Sequence, residues 1–159
     1  MDRPVSVLFI CSQNSARSQM AEAYLNALGA GRYQAESAGL APTEINPLVV
    51  RAMAEEGIDL ADKGTQSVFD LFKAGRVFDY VITVCDEAAE ACPVFPGLTH
   101  RLHLPFADPA RLTGSDEEKL AKIREIRAAI KAMILDLIAW DESGRQGRLG
   151  DAWSLAPQA

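Results

Sequence analysis

Apolar and polar positions fall in blocks along this chain, and the period changes from block to block. Val5-Ser6-Val7-Leu8-Phe9-Ile10 is a short, largely apolar run with β-branched members. Such a run predicts a strand buried in a parallel sheet. A polar loop over residues 11–15 follows. Met20, Ala23, Tyr24, Ala27 and Leu28 then recur at the spacing of one helix face. Gly29 and Gly31 predict where that helix ends. Residues 33–37 read as a second strand, closed by Gly39. Asn46-Pro47 supplies an N-cap followed by proline at the first helical position. The helix it opens carries Leu48, Val49, Ala52 and Met53 and stops at Gly57. Residues 67–74 predict a short helix. Phe78-Asp79-Tyr80-Val81-Ile82-Thr83-Val84 is the clearest later strand and runs directly into Cys85. Residues 99–104 make a weaker fourth. Ser115-Asp116-Glu117-Glu118 is a capping box. It opens a long amphipathic helix whose face is Leu120, Ile123, Ile126, Ile130, Met133, Ile134 and Leu137.

Strands alternating with helices predict one α/β domain, a four-stranded parallel sheet flanked by helices on both faces. Its crossovers are expected to be right-handed. Chemistry is expected at the carboxyl ends of the strands, where Cys11, Cys85 and the segment after Leu104 fall. The domain is expected to span residues 1–140. Residues 141–159, with Gly144, Gly147, Gly150 and Pro157, predict a loosely ordered tail to which Trp153 belongs.

Length and charge narrow the picture. A chain of 159 residues suits one domain. A net charge of −6 without a basic stripe argues against nucleic acid and anionic membrane as partners. No apolar run reaches the ~18 residues of a membrane helix. The stretch after Met1-Asp2-Arg3-Pro4 is too short for a signal peptide and lacks its cleavage site. A cytoplasmic monomer with no tightly bound cofactor is the expectation. Three cysteines is an odd count, unlike a secreted disulfide scaffold. Taken singly, each reads as a small buried hydrophobe.

Position changes that reading for Cys11. Cys11-Ser12-Gln13-Asn14-Ser15-Ala16-Arg17-Ser18 lies between a buried strand and a helix. A tight loop entering a helix N-terminus aims several backbone N–H groups at one spot, and the helix dipole adds partial positive charge. Such a nest suits a tetrahedral oxyanion. Arg17 can grip two of its oxygens with a planar guanidinium. The same donors, with the Ser18 hydroxyl, favour a thiolate at Cys11, which is then the nucleophile.

This stretch resembles the signature of the low-molecular-weight protein tyrosine phosphatase superfamily: Cys, any five residues, Arg, then Ser or Thr. Met20-Ala21-Glu22-Ala23 and Glu36-Ser37-Ala38-Gly39 look like the same family. The resemblance implies that Asn14 holds the loop in a strained shape, with Ser37 nearby. It also implies that Asp108, in Phe106-Ala107-Asp108-Pro109, is the general acid. Attack on an oxyanion must expel an oxygen, and protonation lowers that barrier.

Cys11, Arg17 and Asp108 suffice for a phosphatase, which is the alternative reading. Cys85 and Cys92 are additional. Thiol exchange needs a nucleophile, a resolving thiol and a third thiol that carries the oxidation away. With Val81-Ile82-Thr83-Val84-Cys85, Ser18-Gln19 and Phe106-Ala107-Asp108-Pro109-Ala110, the arrangement resembles the thioredoxin-coupled arsenate reductases over roughly residues 4–138. That resemblance implies arsenate as substrate, phosphate or sulfate as competing oxyanions, and thioredoxin as electron donor. It implies a relay through Cys11, Cys85 and Cys92 that serves arsenic detoxification. Some members bind a monovalent cation beside the loop. Asn14, Glu22 and Ser37 match three of its four places, while residues 65–69 lack the fourth carboxylate and Asp70 is out of register. No other metal is expected. A zinc module on Cys85, Cys92, His100 and His103 departs from the usual ligand spacing, and the odd His offset on one strand points the two rings to opposite faces.

Overall fold

A computed structural model describes residues 3–85, 97, 99–147 and 149. Its strands are β1 (Val5–Cys11), β2 (Tyr33–Gly39), β3 (Tyr80–Thr83) and β4 (His100–His103). All pair in parallel, in the order β2-β1-β3-β4. The helices are α1 (Arg17–Leu28), α2 (Pro47–Ala54), α3 (Val68–Lys73) and α4 (Asp116–Glu142). A 3₁₀ turn, Pro109–Arg111, precedes α4.

The central strands show why their sequences lack polar alternation. Val7, Leu8, Phe9 and Ile10 are all buried, as are Tyr80, Val81, Ile82 and Thr83. Successive strand side chains point to opposite faces, so both faces of the sheet centre are covered. The edge strand β4 is mostly exposed, which explains its weak signal. β2 runs two residues further than expected, to Gly39, because it stays paired with β1 as far as Cys11. β3 is shorter than the apolar run around it, although Phe78 and Val84 are buried too.

The helix ends follow local chemistry. Asn46 accepts from the Leu48 N–H with Pro47 behind it, and both arms of the Ser115–Glu118 capping box are formed. The buried residues of α4 include the whole face expected from periodicity. α1 departs from expectation. Ala27 is exposed and Leu28 only partly buried, whereas every residue from Arg17 to Glu22 is buried. Its first turns are enclosed on all sides, so Arg17, Ser18, Gln19 and Glu22 are polar groups inside the protein.

α4 packs against α1 and α2. Glu55, which caps the end of α2, receives Arg124 and Arg127 from α4. The Arg124 and Arg127 hydrogen bonds hold its carboxyl down at about 2. A depressed carboxyl stabilises the fold above its ordinary range, near pH 4.5, and that contribution is lost as the pH falls toward 2. Glu55→Gln is therefore expected to lower the melting temperature slightly at neutral pH, with the gap closing in acid. A gap that is constant with pH would show that the clamp is not electrostatic.

α4 continues past the domain limit expected at residue 140. Asp141 accepts from Tyr33 Oη at 2.6 Å and from Tyr80 Oη, and Arg145 Nε donates to Tyr80 Oη at 2.9 Å. Burial first, and then the Asp141 carboxylate, push both phenols up. The start of the expected tail is thus pinned to the amino ends of β2 and β3. Trp153 lies outside the described residues.

Candidate active site

The carboxyl end of β1 leads straight into the loop that opens α1. The loop carbonyls are engaged from outside. Ser12 O accepts from Ala41 N at 2.8 Å, Gln13 O from Thr43 N at 3.0 Å and Ser15 O from Asn46 N at 3.0 Å. Asn14 O accepts from Gln19 Nε2 at 3.2 Å. A trans peptide sets each C=O opposite the next N–H. The N–H groups of Gln13, Asn14, Ser15 and Ala16 therefore face away from these partners, toward the hollow of the loop. That hollow is lined by Cys11, Gln13, Ser15, Ala16, Arg17, Asn46, Asp108 and Ala110.

Asn14 is the hinge of the loop. It is fully buried with φ 54°, a left-handed conformation that non-glycine residues rarely adopt. Asn14 Oδ1 accepts from the Gln66 backbone N–H at 3.0 Å and from Gln19 Nε2 at 3.1 Å. A backbone N–H only donates, which settles the orientation of the amide. Asn14 Nδ2 then donates to Ser18 Oγ at 2.9 Å. Ser18 Oγ lies 2.9 Å from Cys11 Sγ, within hydrogen-bond reach. Asn14, Ser18 and Cys11 thus form one buried hydrogen-bonded chain that ends on the nucleophile.

The close approach of β2 to the loop explains Gly39. A Cβ there would stand 2.7 Å from Asn14 N and 3.0 Å from Ser12 O, both backbone atoms that cannot swing aside. Gly39→Ala is expected to displace the loop and to weaken the protection that inorganic phosphate gives Cys11 against alkylation. Unchanged protection would mean the loop does not depend on this contact.

Arg17 is buried and aimed from behind. Its Nη1 donates to Phe106 O at 3.2 Å, and its Nη2 stands 3.5 Å from Asp108 Oδ2. Asp108 Oδ1 accepts from Ala110 N at 2.9 Å, capping the 3₁₀ turn that Pro109 begins. One carboxylate oxygen is thereby anchored while the other faces the pocket, with the side chain 25% exposed. Cys85, fully buried just beyond β3, has its Sγ 3.5 Å from Ser12 Oγ. Neither Cys11 nor Cys85 is in a disulfide. Cys92 lies outside the described residues.

The loop residues, Arg17, Asp108 and Cys85 are thus brought to one end of the sheet. Ser37 is nearby but meets Glu22 rather than the loop: its Oγ donates to Glu22 Oε1 at 3.1 Å. The two histidines sit apart from Cys85 in their contacts. His100 tilts against the Tyr80 ring and His103 Nδ1 bonds Thr83 Oγ1 at 2.6 Å. No cluster of three or more His, Cys, Asp or Glu side chains able to hold a metal occurs among the described residues. No helix among them is long and apolar enough to cross a membrane. Asn46, Gln19, Gln66 and Lys63 were not read as site residues from sequence. The available signal for Gln19 was its place in the first turn of a helix whose start is wholly buried.

A family model described as low molecular weight phosphotyrosine protein phosphatase matches residues 6–140. The chain belongs to this family. Within the phosphatase family its similarity runs to arsenate reductases. One from Halalkalibacterium halodurans is 39% identical over 126 residues, spanning 78% of this chain and 88% of that one. A solved arsenate reductase in the oxidized state superposes with a TM-score of 0.71 at 28% identity, covering 84% of this chain and 96% of the other. A thioredoxin-dependent arsenate reductase from Corynebacterium glutamicum gives a TM-score of 0.66 at 28% identity, over 91% of this chain and 65% of its own.

Proposed function

We propose that this protein reduces arsenate to arsenite, with Cys11 as nucleophile and Cys85 and Cys92 as the relay that thioredoxin resets. The observation that carries the reading is a second thiol, Cys85, held against the oxyanion loop through Ser12. Phosphate-ester hydrolysis has no use for it. The pocket fits as well: its described lining places Arg17, Gln13, Ser15 and Asp108 around Cys11, which suits a small oxyanion. The similarity to arsenate reductases, one of them thioredoxin-dependent, supports the same substrate and donor.

Arsenate enters the loop and replaces the Asp108 carboxylate as the partner of Arg17. Its oxygens take the inward N–H groups, which are fixed before binding and need no reorganisation. Cys11 thiolate attacks arsenic while Asp108, carrying a proton taken from the entering oxyanion, passes it to the departing oxygen, which leaves as water. Cys85 thiolate then attacks Cys11 Sγ. The sulfur–arsenic bond breaks with its electron pair going to arsenic, which leaves as trivalent arsenite. The two thiols have supplied two electrons, and a Cys11–Cys85 disulfide forms. Cys92 attacks Cys85, releasing Cys11, and the dithiol of thioredoxin reduces the Cys85–Cys92 bond. A cycle of free thiols suits the reducing cytoplasm, and arsenic detoxification is its purpose.

The test is arsenate reduction by the purified protein with and without a thioredoxin system. Sustained arsenite formation that requires the dithiol is expected. Aryl-phosphate hydrolysis as the only turnover would make the protein a phosphatase.

A further inference from the structure

We propose that the ammonium of Lys63 supplies, from within the chain, the positive charge beside the oxyanion loop for which related proteins use a monovalent cation. The proposal rests on the reading of residues 11–18 as an oxyanion loop. It begins with Glu22, whose side chain is only 8% exposed. A carboxylate taken out of water needs both hydrogen bonds and a countercharge. Ser37 Oγ donates to it, and Lys63 Nζ stands 3.1 Å from Oε2 and 3.3 Å from Oε1.

The residues present do not fit a bound alkali ion. Hard cations gather several oxygen ligands. Here Asn14 Oδ1 is spent on two N–H donors, Gln66 N and Gln19 Nε2. The Ser37 hydroxyl gives its hydrogen to Glu22, and Ser37 O accepts from Gln66 Nε2 at 2.9 Å. Asp70 is exposed in the first turn of α3. Gln19 Oε1 is buried without a hydrogen-bond partner, and one such oxygen makes no coordination shell. Lys63 already stands on Glu22, the carboxylate such an ion would need.

The segment that carries Lys63 also braces the loop. Gly64 O accepts from Gln19 Nε2 at 3.1 Å, Gln66 N holds Asn14 Oδ1, and Gln66 O accepts from Gly39 N at 2.9 Å. Without the ammonium, Glu22 keeps a buried charge with no countercharge, and the segment that fixes Asn14 at φ 54° loses one of its anchors. Lys63 is thus a positioning residue, acting on the oxyanion through Glu22, residues 64–66 and Asn14.

The test uses inorganic phosphate as probe. Its protection of Cys11 against iodoacetamide is followed by peptide mass, so that Cys85 and Cys92 do not intrude, in potassium chloride and in choline chloride at equal ionic strength. The wild type is expected to show one phosphate midpoint in both salts. Lys63→Met is expected to need about tenfold more phosphate in both salts, the scale of one lost charge-assisted hydrogen bond. Lys63→Arg should stay indifferent to the salt. The double variant Glu22→Gln/Lys63→Met should bind phosphate like the wild type in both salts, having no buried charge to neutralise. Stronger protection of the wild type in potassium than in choline would overturn the proposal, because an ion then binds despite Lys63. So would a Lys63→Met protein that binds phosphate like the wild type, or that recovers in potassium, because the oxygens around Glu22 would then hold an ion. If Lys63→Met folds in neither salt, the double variant decides: a folded double supports charge replacement, and an unfolded one contradicts it. Failure of phosphate to protect even the wild type is a separate result, and removes the oxyanion reading itself.

Discussion

Asp108→Asn is expected to slow arsenate turnover by about 10²–10⁴-fold, the usual range for a general acid. The substitution keeps the geometry, because an asparagine oxygen can still accept from Ala110 N and cap the 3₁₀ turn as Asp108 Oδ1 does. It removes the proton that the leaving oxygen requires. It also removes the charge that faces Arg17 Nη2 at 3.5 Å, so oxyanion binding should hold or tighten while turnover falls. Phosphate protection of Cys11 measured beside turnover separates the two effects. Turnover equal to that of the parent would reduce Asp108 to a turn residue.

Each cysteine variant is expected to stop at a different species, because each thiol has one step. Cys11→Ser should abolish turnover outright. Cys85→Ser should keep the attack on arsenic but lack the sulfur that releases arsenite, so repeated turnover should fail. Cys92→Ser should release one equivalent of arsenite and halt as a Cys11–Cys85 disulfide. Weak hydrolysis of an aryl phosphate should survive loss of Cys85 or Cys92, since it needs only the loop, Arg17 and Asp108. Undiminished arsenate reduction by the Cys92 variant with thioredoxin as sole donor would reduce the relay to two thiols.

The oxyanion loop was legible because its meaning comes from its flanks. The continuous apolar run of β1 before Cys11 and the periodic helix after Arg17 put a loop where backbone N–H groups converge. Asp108 entered through the family resemblance, because an Asp-Pro pair just past a strand is by itself an ordinary turn. The bracing of the loop was not legible. Lys63, Gly64 and Gln66 belong to a stretch with no hydrophobic period, and their partners Glu22, Gln19 and Asn14 lie some forty to fifty positions earlier in the chain. Contacts made by turn residues across such separations leave no local pattern. Ser37 was expected to support the loop, and its hydroxyl meets Glu22, a partner that strand spacing cannot express. The end of α4 was missed because glycines after Trp140 read as a loose tail. Asp141 and Arg145 dock there on two tyrosines from distant strands.

The central claim, that this oxyanion loop feeds a thiol relay, is tested most directly by one turnover of the wild-type protein on arsenate without any reductant, followed by peptide mapping of its disulfides. The account predicts one equivalent of arsenite and a Cys85–Cys92 bridge, with Cys11 back as a free thiol. That bridge requires the two Cα atoms to come within about 7 Å of each other. Arsenite released with all three cysteines still reduced, or arsenate left unreduced, would contradict it.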